Sequence, residues 1–302
     1  MKRTFKAVVI VTLLLWVAAA ALLCENALKL SLPFRPSADP ALARWTAEES
    51  QCRWQPVEIA AADGARLRAW WFEPPHAKGS ALLIHGVADS RRGVLACSRI
   101  LLRHGYRVLA ADSRAHGESG GAMLTHGLLE VNDVRLWVDW IRRGHPAEPV
   151  FGLGESMGAA ILLQAAGHGV PFRAIVAESP FASLRAVARY RVRQKAGPIG
   201  PALADSALLY ARFRYGLDFS QASPEAVAAG IHVPVLLIHG SQDTNVPQAH
   251  SLRLAARNPS CITLWAPPGV PHTAALAKMP AEFERRVAGH FSAPPPQACA
   301  GP

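Results

Sequence analysis

Cysteines, acidic side chains and metal-ligand spacings are all scarce in this 302-residue chain. Its five cysteines (Cys24, Cys52, Cys97, Cys261, Cys299) are scattered, with no pair at CxxC spacing. That excludes a dense disulfide framework and leaves structural zinc and thioredoxin-like redox chemistry without support. One disulfide in an oxidising compartment stays open, its pair unnamed. No two histidines have ligand spacing, so metal-dependent hydrolysis is a remote alternative and no cofactor is implied. Asp and Glu number 22 against 32 Lys and Arg, a formal charge of +10. Such a balance suits nucleic acid, an anionic membrane surface or an acidic ligand. Zinc-finger spacing, an RNP-like aromatic pattern and a long Lys/Arg run are all missing, which argues against nucleic acid. With 50% hydrophobic and 18% charged residues the chain is globular rather than disordered.

What the chain does have begins at its N-terminus. Lys2, Arg3 and Lys6 precede an apolar run from Ala7 to Leu23, broken only by Thr12. Its 17 residues make a helix of roughly 26 Å against a hydrocarbon core of about 30 Å. A membrane anchor over 1–30 is expected, with the basic end cytoplasmic and the remainder on the non-cytoplasmic (periplasmic) side. The alternative is a cleaved signal and a secreted or periplasmic protein, although Leu23-Cys24-Glu25 is a poor cleavage site.

Residues 31–55, with Pro33, Pro36 and Pro40, read as a linker plus a short helix. Beyond them apolar runs alternate with helical patterns. Val57 to Ala61 and Leu67 to Phe72, around Asp63-Gly64, predict a hairpin. Further strands are expected at Ser80–Ile84, Arg107–Ala111, Pro149–Leu153, Arg173–Ala177, Pro234–Ile238 and Cys261–Trp265. Leu128, Val131, Val134, Val138 and Ile141 recur at helical spacing. This alternation predicts an α/β fold, a mostly parallel eight-stranded sheet with helices on both faces, over 56–291. A tail over 292–302 reads as disordered. Residues 181–231 are too long for an ordinary crossover and predict a helical cap over the strand C-terminal ends. Seven basic residues (Arg185, Arg189, Arg191, Arg193, Lys195, Arg212, Arg214) stand there against three acids (Asp205, Asp218, Glu225).

The chemistry centres on Gly154-Glu155-Ser156-Met157-Gly158. A serine hydroxyl is a weak nucleophile that needs a base and an exposed position. GxSxG provides the exposure, placing the serine on a cramped strand-to-helix turn whose glycines relieve clashes. The apolar Val150-Phe151 precedes it and Ala159-Ala160-Ile161-Leu162-Leu163 follows. An orienting acid and a base are then expected in that order. Asp243, in His239-Gly240-Ser241-Gln242-Asp243, and His272, in Pro268-Gly269-Val270-Pro271-His272, both follow strands and fill these roles. A bland reading of each exists: a turn-capping aspartate and an exposed loop histidine. Glu178, also at a strand end, is the rival acid. The oxyanion hole is expected at the backbone N–H groups of Met157 and of Val87, after His85-Gly86. His85, His116 and His239 read as structural.

Together, Leu83-Ile84-His85-Gly86, Asp112-Ser113-Arg114-Ala115-His116-Gly117-Glu118-Ser119, the GESMG elbow, HGSQDTNVP and the His272 loop resemble the α/β-hydrolase superfamily from about Pro56 to Phe291. DSRAHGES resembles the monoglyceride-lipase, serine-aminopeptidase-like and BEM46-like branches, in which this segment shapes the floor of the site. The resemblance implies hydrolysis of a carboxylic ester, thioester or amide through an acyl-enzyme, on a small acyl ester or lipid-like substrate. Acyl transfer by the same triad and a non-catalytic binding protein on this frame are the alternatives.

Overall fold

The computed structural model describes residues 2–29, 39–294, 296 and 299. Helix α1 (Lys2–Lys29) comes first, then α2 (Pro40–Glu49), whose first turn is capped by the Asp39 carboxylate accepting from the Ala41 N–H. Strands β1 (Arg53–Ala60) and β2 (Arg66–Glu73) pair antiparallel, as the Asp63-Gly64 turn predicts. β2 runs antiparallel to β4 (Arg107–Ala111), and all later pairings are parallel. With β3 (Ser80–Ile84), β5 (Val150–Glu155), β6 (Ala174–Glu178), β7 (Val235–Ile238) and β8 (Ile262–Trp265), the eight-stranded order is β1-β2-β4-β3-β5-β6-β7-β8.

Central strands read as continuous apolar runs because both faces are covered. Ala81, Leu83, Val108 and Ala110 pack with α2, α3 (Leu95–Arg103) and α11 (Pro280–Ser292). Leu82, Ile84, Leu109 and Ala111 face the other way, toward α4 (Glu130–Gly144) and α5 (Met157–Gly167). In α4 the buried residues Val131, Val134, Val138 and Ile141 are those whose spacing announced the helix. Between β6 and β7 the long segment forms α6 (Leu184–Ala196), α7 (Gly200–Tyr215) and the single turn α8 (Pro224–Val227). α9 (Ala249–Arg257) and α10 (Ala275–Lys278) complete the set.

Two boundary expectations change. Residues 31–38 of the expected linker lie outside the described residues, but 40–55 belong to the folded body. Ala43 and Ala47 of α2 are buried against the sheet, and β1 starts at Arg53. Nor is the tail unstructured throughout, since Cys299 is buried and joined to Cys261 by a disulfide, the Cα atoms 5.2 Å apart. A low-complexity Pro-rich pattern does not reveal such a covalent tie.

The DSRAHGES segment is fastened below the strand ends by buried charge. Asp112 accepts from the Arg91 backbone N–H (2.7 Å), the Arg91 guanidinium (2.8 Å) and the Glu118 N–H (2.9 Å). Burial pushes the Asp112 carboxyl above its ordinary value, against the pull of Arg91. Arg114 reaches Asp133 through two hydrogen bonds of 2.7 Å. None of these hydrogen bonds reaches Ser156. Replacing Arg91 by Met leaves the Asp112 charge buried without its cation, and should lower unfolding free energy by about 3–5 kcal/mol in urea titrations.

Candidate active site

The turn from β5 into α5 places Ser156 at φ 51°, ψ −109°, a region that non-glycine residues avoid. Nothing in the local sequence favours that backbone; the packing imposes it. Gly158 lies so close to β3 that an added Cβ would sit 2.2 Å from the Ile84 carbonyl oxygen, and one on Gly154 would sit 2.6 Å from the Ala159 nitrogen. Only at glycine can the strand and helix approach closely enough to throw the serine outward. The Ser156 N–H donates to the Glu178 carbonyl (2.7 Å), tying the elbow to β6.

The two loops after β7 and β8 arrive at the same edge. His272 Nε2 lies 2.9 Å from Ser156 Oγ, and His272 Nδ1 lies 2.6 Å from Asp243 Oδ2. Three residues spread over the sequence thus form one chain of hydrogen bonds. The other Asp243 oxygen accepts from the N–H groups of Asn245 (2.9 Å) and Val246 (2.8 Å). Burial alone would raise the Asp243 carboxyl, but hydrogen bonds with His239, His272 and the Val246 N–H hold it well below the ordinary carboxylate range. An ionised Asp243 then keeps the proton of His272 on Nδ1 and leaves Nε2 facing the serine.

The other histidines are structural in their contacts. His85 Nε2 accepts from the Ser113 N–H (3.1 Å), so its Nδ1 carries the proton and donates to the Gly86 carbonyl (2.7 Å). His239 bridges Ser251 (2.7 Å) and the Val246 carbonyl (2.8 Å). The rival acid Glu178 is turned away, accepting from the Ala275 N–H (2.9 Å).

Ser156, Met157 and Val87 share a cavity of about 300 Å³ with apolar walls, and Arg191 and Lys195 are the charged residues lining it. Met157 opens α5, so its N–H has no partner within the helix. An open groove of about 820 Å³ beside α2, lined by Arg44, Glu48, Arg53 and Glu73 among others, lies away from the serine. Two sets of cavity residues escaped the sequence reading. His126 lines the cavity with a buried Nδ1 that has no hydrogen-bond partner among the described residues, and burial pulls its pKa down to about 4. Leu23, Cys24, Ala27 and Leu28 of α1 line it too. Neither set carries a motif, and the apolar pattern of α1 reads only as a membrane segment.

Comparison with known proteins bears directly on this arrangement. The family model described as serine aminopeptidase, S33 matches residues 75–208. An uncharacterized protein of Mycobacterium tuberculosis is 31% identical over 222 residues, covering 72% of this chain and 71% of its own length. This chain belongs to the α/β-hydrolase superfamily. The Pyrococcus furiosus esterase Pf2001 is similar at a TM-score of 0.70 and 27% identity, over 85% of this hydrolase chain and 96% of that one. The lysophosphatidylserine lipase ABHD12 of Danio rerio is 28% identical over 199 residues, 59% of this hydrolase and 47% of the lipase. Among bacterial relatives the match spans 65% of one Bacillus subtilis protein and 68% of one from Escherichia coli.

Beneath the elbow two carboxyls face each other in register, Glu155 on β5 and Glu178 on β6. Burial first, and then the Glu178 charge, pushes Glu155 up to about 8, and burial pushes Glu178 up to about 7. Both hold a proton more tightly in the fold than in the unfolded chain. Their stabilising protonated form is fully present below the ordinary value of 4.5 and its contribution is lost as pH rises through 7 to 8. Glu155→Gln should therefore leave the melting midpoint unchanged near pH 5 and raise it by several degrees near pH 8.5, read by calorimetry.

Proposed function

We propose that this hydrolase cleaves carboxylic esters through an acyl-enzyme on Ser156, with His272 as general base and Asp243 as its orienting acid. The observation that carries the reading is His272 bridging the Ser156 hydroxyl and the Asp243 carboxylate, 2.9 Å and 2.6 Å away. As Ser156 Oγ bonds to the ester carbonyl carbon, its proton passes to His272 Nε2, and Asp243 stabilises the imidazolium. The carbonyl oxygen gains the electron pair and is received by the N–H groups of Met157 and Val87. Collapse expels the alkoxide, which takes the His272 proton and departs as an alcohol. Water, deprotonated by His272, then releases the acid and restores the Ser156 hydroxyl.

An ester rather than an amide is supported by the apolar cavity and by the likeness to an esterase and a lipase. We further propose that α1 is a membrane anchor. Its most apolar 18-residue window has a mean hydropathy of 2.8, and Lys2, Arg3 and Lys6 favour a cytoplasmic N-terminus. The Cys261–Cys299 disulfide suits an oxidising, non-cytoplasmic compartment for the catalytic domain.

With p-nitrophenyl butyrate, Ser156→Ala and His272→Ala should lose turnover, and Asp243→Asn should lower kcat about 10³ to 10⁴-fold. A fluorophosphonate should label the native chain and not Ser156→Ala; labelling that persists in that variant would remove Ser156 as nucleophile. Protease added outside sealed, right-side-out spheroplasts should digest the catalytic domain, whereas full protection would reverse the orientation.

A further inference from the structure

α1 divides into two parts with different surroundings. Phe5, Val8, Ile10, Leu13, Leu14 and Leu15 are all more than half exposed, whereas Ala20, Cys24 and Leu28 are buried. The buried part lies along α7. The Trp16 indole donates to Ser206 Oγ (2.9 Å), and the hydroxyl of Tyr215 donates to the Glu25 carboxylate. Low numbers thus meet low and high meet high, and the two helices run side by side in one direction. At the end of α1 the Leu28 carbonyl accepts from the Leu124 N–H (3.0 Å), docking it on the body.

This placement makes α1 part of the site. Leu23, Cys24, Ala27 and Leu28 form one wall of the cavity that contains Ser156, with Val187 of α6 and Ala207 of α7 among the residues lining the rest. The apolar run that begins at Ala7 ends at Leu23, itself a residue of the cavity wall, so the membrane segment runs directly into that wall. Because α7 runs parallel to α1 and its Ser206 meets Trp16, the α6–α7 corner lies further toward the N-terminal, exposed half of α1, and Ile199 at that corner is 57% exposed.

We propose that the last two turns of α1 are a specificity-determining wall of the acyl pocket, and that the pocket opens at the bilayer surface to receive the acyl chain of a membrane lipid ester. This rests on the serine-hydrolase reading above. An acyl chain moving from bilayer to pocket exchanges one apolar surrounding for another, whereas passage through water exposes every methylene. Removal of α1 as a signal would unroof the cavity, so the working protein retains the helix. Arg191 and Lys195 give the slot a positive rim.

The test uses the full chain in nanodiscs and a hexadecyl fluorophosphonate bearing a diazirine near the end of its alkyl chain. Ser156 Oγ bonds to phosphorus, fluoride leaves, and the hydroxyl proton passes to His272. Light then expels dinitrogen, and the carbene inserts into whatever lies along the chain. The expected result is a Ser156 adduct whose crosslinks include the peptide containing Leu23 to Leu28. A Ser156 adduct with crosslinks only to α6, α7 or lipid would overturn the wall and leave the hydrolase reading standing. Absence of a Ser156 adduct would overturn the hydrolase reading and the wall's role with it. In parallel, Ala27→Trp should lower the ratio of dodecanoyl to acetyl p-nitrophenyl ester turnover at least tenfold, while Asn26→Trp, outside the lining, keeps the native ratio. Crosslinking is read on the native chain, so the outcome does not depend on either variant folding.

Discussion

The close approach of α5 to β3 is the constraint on which the site depends. Because Gly158 lets the helix backbone lie against the Ile84 carbonyl, the turn at Ser156 has no room to relax, and the serine is held at a positive φ. That strain is borne by the parallel sheet on both sides, through the pairing of β5 with β3 and β6 and the Ser156 N–H bond to Glu178. Ser179 and Thr273, also at positive φ, stand at neighbouring strand ends. Backbone strain is thus concentrated at one edge of the sheet, where functional groups collect.

Charge is sorted around this edge by depth. Asp243 is supplied with enough donors to stay ionised, although burial opposes it. Glu155 and Glu178 have fewer donors, the Cys97 thiol for one and the Ala275 N–H for the other, and burial drives both toward the neutral form. The difference favours Asp243 over Glu178 in the proposed orienting role, since an orienting acid must be an acceptor when the imidazole is protonated. Arg91 and Arg114 fasten the DSRAHGES segment through buried carboxylates, Asp112 and Asp133.

α1 connects the cavity that contains Ser156 to an exposed apolar surface. A helix whose exposed half suits lipid and whose other half closes an apolar cavity joins two apolar environments along one continuous surface. The cap helices α6 and α7 complete the enclosure. Their basic surface has two local explanations: Asp205 pairs with Arg185 and Arg189, while Arg191 and Lys195 face the cavity.

Much of this was legible in the residues alone. Apolar runs gave the eight strands to within a few positions, because strands covered on both faces carry no polar alternation to confuse them. GESMG, HGSQD and the GVPH loop singled out Ser156, Asp243 and His272 as candidates, and the fold brings the three within hydrogen-bond distance of one another. Local pattern cannot report which distant surfaces meet. Cys299 found Cys261, α2 joined the core, and α1 joined the wall of the cavity through contacts between segments far apart in the chain. The sequence by itself determined three candidate residues in strand-end loops and an apolar N-terminal helix. The tertiary structure decided that this helix lies against Ser156's own pocket, since only packing of α1 on α7 brings Leu23 and Ala27 there.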